Sequence, residues 1–333
     1  MPIKVALIGC GWMAQNGHGP ALQAYAKANP TAVELCACCD IDAKQAADFA
    51  KTFGFARSYT DMNALLDAEQ PGYVCLVVPV HRTAPMALEV MRRNIPILLE
   101  KPPGMNIQEA EQLLAAGAKV PHRVAFNRRY APLMTRLCDE LKKTGQDILS
   151  LRCEFLRINR CDHDFSSTAI HGIDAVQCIA GAYEKLDFSY REVPDANPGT
   201  KPGPAHFVLS GSMRSGAAVS LNFSPMSGVL AERYTVELFD HTFAMHLPGG
   251  LDAGGCLRHW HKGNLVKEVA GGELNQGMTG NFIEGGFYHE NASFLDALQA
   301  KKPITGGMAD GAIDPMRIAD AIRERQRHLI LPQ

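Results

Sequence analysis

The chain has 333 residues, 46% of them hydrophobic and 20% charged, with a formal net charge of -2. That length exceeds what one hydrophobic core usually serves, so two domains are expected, and the composition is that of an ordinary globular protein. The charge balance leaves no electrostatic footprint for nucleic acid or an acidic membrane surface, and no apolar run approaches the roughly 20 residues of a membrane span. Ile3 to Ile8 is a short apolar run with β-branched residues and reads as a strand. A Gly-rich turn and a helical stretch follow, to about Lys27. Val33 to Cys39 is a second strand, and Ala43 to Phe53 a helix closed by Gly54. Asp61 is placed to cap a short third helix. Tyr73 to Val78 is a strand without a charged residue, Thr83 to Arg93 is helical by period, and Ile95 to Leu99 and Val124 to Phe126 are further apolar strands. Uninterrupted apolar strands separated by helices predict a parallel sheet covered on both faces.

Beyond about Asn127 the character changes. A helix over about Pro132 to Lys143 leads into a strand at Ile148 to Phe155, and a second helix starts near His171 and stops at Gly181. Strand-like runs then follow one another, among them Phe207 to Met213, Ala217 to Phe223, Tyr234 to Phe239 and Phe243 to Leu247. Strands in succession imply antiparallel pairing. Helices over about Tyr288 to Ala300 and Pro315 to Leu329 close the chain, and Pro194 to Pro204 reads as a surface loop. The expected division is 1–123 for a dinucleotide-binding domain and 124–333 for a substrate-binding and oligomerisation domain.

The opening MPIKVALIGCGW lacks the basic region, long apolar stretch and cleavage site of a secretory leader, so a cytoplasmic location is expected. A reducing compartment keeps the 10 cysteines as thiols. Cys36 and Cys39 are three apart on a strand and point to opposite faces, which argues against metal or redox use.

Gly9-Cys10-Gly11-Trp12-Met13-Ala14 has the spacing G-x-G-x-x-A, after a strand and before a helix. Gly9 permits the tight turn, Gly11 lets backbone approach a pyrophosphate, and Ala14 lets helix and strand pack closely. The anion then sits on a helix N-terminus, where free N–H groups and the dipole favour it. Asp40 ends the second strand, where an acid bonds the adenine ribose hydroxyls; it also has the position of a helix cap. A carboxylate there repels a 2′-phosphate, and Ile41 offers no cation, so NAD is expected over NADP. Leu99-Glu100-Lys101-Pro102-Pro103 lies at the carboxyl end of a strand, where ligands bind in open α/β sheets. A lysine emerging from a buried strand is open to desolvation, which moves its pKa toward acid–base use.

Together these residues resemble the Gfo/Idh/MocA oxidoreductase family. The resemblance is carried by G-C-G-W-M-A, His18-Gly19-Pro20, Asp40, Glu100-Lys101-Pro102, Asn127-Arg128-Arg129-Tyr130 and Ile170-His171-Gly172-Ile173-Asp174. Glu290 and Phe294-Leu295-Asp296-Ala297-Leu298, ahead of Pro303, extend it to the C-terminal region. It implies an α/β protein: an N-terminal Rossmann doubly wound parallel sheet, then a C-terminal α/β domain with a mainly antiparallel open sheet. It further implies hydride transfer between NAD(H) and a hydroxyl or carbonyl carbon of a sugar, cyclitol or polyol. Lys101 and His171 would be catalytic. Gly9, Gly11, Trp12, Met13, Ala14, Asp40, Pro79, His81, Glu100, Lys101 and Asn127 would hold the cofactor. Lys101, Arg157, Asp164, Ser167 and His171 would meet substrate. Many members have aspartate four residues before the histidine. Ser167 stands there in this chain and can hydrogen-bond but not charge-balance the lysine–histidine pair.

Other signals have two readings. His171 and Asp174 are spaced as a simple helical pair. Asp162-His163-Asp164 either reaches substrate hydroxyls or is a solvated loop, and Arg157 and Arg160 either bind an acidic substrate or are solvated. His259 and His261 share a strand face but lack a third ligand, so no metal site is expected. Two other functions fit the same fold: a glycosidase that retains its NAD and works by transient oxidation and elimination, and a catalytically attenuated NAD-binding sensor. The run of adjacent strands leaves a sheet face to be covered, and with the resemblance this predicts a dimer or tetramer.

Overall fold

The computed structural model describes residues 2–160, 164–193, 204–250, 253–275 and 277–332. Asp162, His163 and residues 194–203 lie outside the described residues, and the readings given above for them go no further. The chain forms two compact units, Met1–Tyr130 with Gly280–Ile313, and Ala131–Thr279 with Asp314–Gln333.

The first unit holds six parallel strands: β1 (Ile3–Ile8), β2 (Val33–Cys39), β3 (Arg57–Tyr59), β4 (Tyr73–Leu76), β5 (Ile97–Glu100) and β6 (His122–Ala125). Their order is β3-β2-β1-β4-β5-β6, with every pairing parallel. Consecutive residues of the central strands are buried alike, as at Val74, Cys75 and Leu76 or Ile97, Leu98 and Leu99. That is the pattern of strands covered on both faces. The covering helices are α1 (Gly19–Ala28), α2 (Ala43–Phe53), α3 (Met62–Glu69), α4 (Val80–Arg92) and α5 (Ile107–Gly117). Asp42, and not the Asp40 two residues earlier, caps α2 by accepting from the Lys44 and Gln45 N–H groups, and Gly54 closes it in the left-handed conformation. Asp61 caps α3 as its sequence position predicts.

The return of Gly280–Ile313 to this unit departs from a single crossing near residue 123. After the short α8 (Asn281–Glu284), helix α9 (Phe287–Gln299) sets Phe294 and Leu295 into the same core as Val5, Leu7 and Tyr73. The Tyr73 and Phe294 rings lie 5.0 Å apart. Arg123 ties the segment down, donating to the Glu290 carbonyl at 2.7 Å and the Thr305 carbonyl at 2.9 Å.

The second unit is a nine-stranded sheet with order β14-β13-β12-β11-β7-β10-β9-β8-β15. Its strands are β7 (Ile148–Leu156), β8 (Tyr183–Glu192), β9 (Ala205–Met213), β10 (Ala218–Ser224), β11 (Ala231–Leu238), β12 (His241–His246), β13 (Cys256–His261), β14 (Asn264–Ala270) and β15 (His328–Ile330). β7 and β10 pair parallel and the other pairings are antiparallel. Burial alternates along β10, where Val219, Leu221 and Phe223 face the core and Ser220 and Asn222 do not. One face packs on α6 (Pro132–Thr144), α7 (Ser166–Ala180) and α10 (Ile313–Arg323). Helix α7 starts five residues before the His171 expected to open it. α10 stops at Arg323, short of the expected Leu329. Arg325 turns the chain at φ +56°, and His328–Ile330 pairs with β8 instead.

Candidate active site

In the first unit the sheet order reverses between β1 and β4, which places a ligand crevice at the carboxyl ends of the strands. The Gly9–Ala14 turn leaves β1 at that edge. Gly9 has φ +93°, and a Cβ there would sit 2.0 Å from the Val77 carbonyl oxygen, so no side chain fits. At Gly11 a Cβ would meet nothing within 4 Å, which leaves room for a group to approach the backbone. Ala14 is fully buried. Asp40 closes over the same turn: its carboxylate accepts from the Cys10 N–H at 2.8 Å, the Gln45 amide at 3.1 Å and the Asp42 N–H at 3.0 Å.

Large apolar side chains stand exposed along this edge. Trp12 after β1 is 69% exposed, Ile41 after β2 95%, and Met105 after β5 43%. Water is a poor neighbour for such surface, and a ligand lying across the strand ends would cover it. The sequence reading placed Trp12 at the cofactor and noted Ile41 only as lacking a cation; Met105 it did not name, and only exposure at a strand end singles that residue out. Pro79 precedes α4 without a side-chain cap bond, and both it and His81 are exposed. Asn127 is buried, and its amide donates to the Gly285 carbonyl at 2.6 Å, binding the returning segment.

Glu100 ends β5 and Lys101 follows it directly. The Lys101 N–H donates to Glu100 Oε2 at 3.0 Å, and Glu100 Oε1 faces His18 Nε2 at 3.0 Å. Burial on its own raises the Glu100 carboxyl; the His18 bond and the nearby Lys101 charge outweigh it and hold the group below the usual carboxylate range. Glu100, expected at the cofactor, spends its carboxylate on His18 and on the Lys101 backbone. His18 was part of the motif without a stated role. No sequence signal joins residues 82 positions apart.

In the second unit α7 is buried almost all round. A Cβ on Gly172 would press within 3.0 Å of the Phe155 and Phe223 rings, so its absence lets the helix lie close on the sheet. This seats His171 and Asp174 in buried positions. Ser167 in the first turn donates to the Asp164 carbonyl at 2.8 Å, and the Asp164 carboxylate receives the Ser166 N–H and Arg323. Arg157 is buried, pairs with Glu232 and stacks 3.7 Å above the Phe155 ring centroid. On β12 and β13, His241 and His259 meet through a 2.8 Å contact between ring nitrogens, and His241 stacks on His261. Among the described residues no helix is long and apolar enough to cross a membrane.

Residues 3–127 match an oxidoreductase family with an NAD-binding Rossmann fold. This bears out the Gfo/Idh/MocA resemblance over the N-terminal region. The chain is similar to a D-glucoside 3-dehydrogenase of Escherichia coli (30% identical over 132 residues, 39% of this chain and 36% of that protein). It is also similar to a D-apiose dehydrogenase of Paraburkholderia graminis (30% over 133 residues, 39% of this chain and 33% of that one). The match thus spans about a third of each curated relative's length. Over the whole chain the fold is that of a levoglucosan dehydrogenase solved with NADH and levoglucosan, with TM-score 0.85, 19% identity and full coverage of both chains. An oxidoreductase domain protein from Kribbella flavida has the same TM-score at 18% identity, again with both chains covered in full.

Proposed function

We propose that this protein, whose residues 3–127 match an oxidoreductase family with an NAD-binding Rossmann fold, is an NAD-dependent dehydrogenase. It would act on a hydroxyl or carbonyl carbon of a sugar, cyclitol or polyol. The observation that carries the reading is the closed unit of Asp40 on the Cys10 N–H, beside an open Gly11 and a sheet edge lined by exposed Trp12 and Ile41. This edge fits a dinucleotide: backbone space for a pyrophosphate, a carboxylate for ribose hydroxyls, apolar surface for flat rings. Bound NAD(H) supplies the hydride acceptor or donor. The names of the relatives, a glucoside, an apiose and a levoglucosan dehydrogenase, support the substrate class.

Within this reading Gly9, Gly11, Trp12, Met13, Ala14, Asp40, Pro79 and His81 line the cofactor. Lys101 Nζ or a His171 ring nitrogen takes the hydroxyl proton on oxidation and returns it on reduction. Arg157 and Ser167 act in shaping the substrate domain, since their polar groups contact Glu232 and the Asp164 carbonyl. NAD is preferred over NADP because Asp40 repels a 2′-phosphate. Self-association as a dimer or tetramer, to be read by light scattering, and a cytoplasmic location are parts of the same reading.

The test is a panel of sugars and polyols with NAD, followed by NADH absorbance, beside calorimetric titration of NAD and NADP. Net NADH formation supports a dehydrogenase. Free sugar released from glycosides without net NADH would overturn it in favour of an NAD-retaining glycosidase. Lys101→Ala should keep NAD binding and lose turnover by about 10²-fold or more, the range for removing an acid–base group.

A further inference from the structure

The first unit contains a buried hydrogen-bonded chain that ends on the backbone of Lys101. It begins at Tyr73 on β4, whose hydroxyl donates to Asn291 Oδ1 at 2.9 Å. Asn291 Nδ2 faces His18 Nδ1 at 3.1 Å and the Phe287 carbonyl at 2.9 Å. His18 Nε2 meets Glu100 Oε1 at 3.0 Å, and the other Glu100 oxygen accepts from the Lys101 N–H at 3.0 Å. Tyr73, His18 and Asn291 are fully buried and Glu100 nearly so.

Local structure explains how His18 reaches inward. Residues Ala14–His18 form a π-helical turn ahead of α1. One extra residue per turn shifts the side-chain directions relative to an α-helix, and such turns concentrate at functional sites. Gly17 lets the turn press on α9: a Cβ there would lie 2.9 Å from the Phe287 ring. The His18 ring then packs edge-on to Phe287, 5.1 Å between centroids, between α9 and β5.

The bond directions from Asn291 through His18 to Glu100 follow from which atoms can donate. A carbonyl only accepts, so the Asn291 atom facing Phe287 O is the amide nitrogen. Its second hydrogen points to His18 Nδ1, which must offer a lone pair. The single ring proton therefore sits on Nε2 and is donated to Glu100. Burial opposes a charge on His18, whereas Cys75 and the Glu100 carboxylate favour one and would outweigh it. The Asn291 contact opposes them, because a second proton would have to sit on Nδ1, against an N–H.

We propose that Asn291 and His18 are positioning residues for Lys101: a neutral His18, held in its Nε2–H form by Asn291, orients Glu100, which fixes the Lys101 backbone at the end of β5. Its kinetic consequence rests on the dehydrogenase reading; its chemistry does not. The returning segment Gly280–Ile313 thereby acquires a role, since it supplies Asn291.

Two measurements test this. In ¹⁵N-labelled protein, the His18 imidazole, assigned as the signal lost in His18→Gln, should carry one proton, on Nε2, across the neutral pH range. A doubly protonated ring, or a proton on Nδ1, would overturn the proposal, and this spectrum needs no substrate and no variant beyond the assignment. In kinetics, His18→Gln offers a donor to Glu100 and an acceptor to Asn291, as the neutral tautomer does. It should keep turnover within about threefold of wild type, while His18→Leu and Asn291→Leu lose about 10- to 100-fold in kcat, the scale of a misplaced catalytic group. NAD affinity should hold in all three. A folded His18→Leu enzyme with wild-type kcat would refute the positioning role and leave the dehydrogenase reading intact. If no substrate of the panel turns over, the dehydrogenase reading fails and the ring spectrum still decides the chain.

Discussion

The two sheets bury their strands in different ways. In the parallel sheet neighbouring residues such as Leu98 and Leu99 are both fully buried, because helices cover both faces. In the nine-stranded sheet burial alternates, and Leu221 is fully buried beside a partly exposed Ser220. A sheet closed on both faces has only its edges for chemistry. The strand ends of the first unit accordingly carry Gly9–Ala14, Asp40, Glu100 and Lys101, while the second sheet keeps a whole face with polar side chains.

The sharpest way to break this comparison is at the edge of the closed sheet. Gly9→Ala forces a Cβ onto the Val77 carbonyl at positive φ. It should destabilise folding by about 4 kcal/mol or more, combining overpacking with backbone strain. Gly11→Ala, which meets nothing within 4 Å, should fold within about 0.5 kcal/mol of wild type. Its cost should appear in NAD affinity instead. Urea unfolding and calorimetry separate the two, and similar losses of stability would mean the turn has no open side.

Next in size is the ion pair at the end of β7. Arg157 and Glu232 are both about one-tenth exposed as side chains. Arg157→Met leaves a buried carboxylate without its guanidinium and should cost about 3–5 kcal/mol. A change below about 1 kcal/mol in urea unfolding would show Arg157 to be solvated, the reading that the sequence left open.

The strand interiors test the burial patterns directly. Leu98→Ala and Leu99→Ala should each cost about 2–5 kcal/mol, whereas in β10 Leu221→Ala should cost as much and Ser220→Ala less than about 0.5 kcal/mol. Equal penalties at Ser220 and Leu221 would contradict an open second face. The smallest effect is expected at Asp40: Asp40→Ser should narrow the preference for NAD over NADP by about tenfold, near 1.4 kcal/mol. An unchanged ratio in paired titrations would remove Asp40 from cofactor choice.

Much of the first unit was readable in the chain. Apolar strands at β1, β2, β4 and β5 announced a parallel sheet, since period and β-branching are local properties, and Gly54 and Asp61 mark helix ends through backbone freedom or their own side chains. The second sheet was readable as a succession of strands but not as an order. That β10 lies parallel to β7 depends on which distant strands share a face. The segment around α9 displayed an amphipathic pattern, Phe287, Phe294 and Leu295, that any core of fitting shape would accept.

The sequence by itself determined the fold class, the glycine-rich turn with its acid, and the position of Glu100-Lys101 at a strand end. Each follows from residue type and spacing within a few turns of chain. Only the tertiary structure decided that Glu100 faces His18, that Asn291 returns from the far end of the chain to hold that ring, and that Arg157 is spent on Glu232. Those contacts join residues 75 to 273 positions apart. A buried polar group takes whichever partner packing brings within reach, and spacing along the chain does not encode that choice.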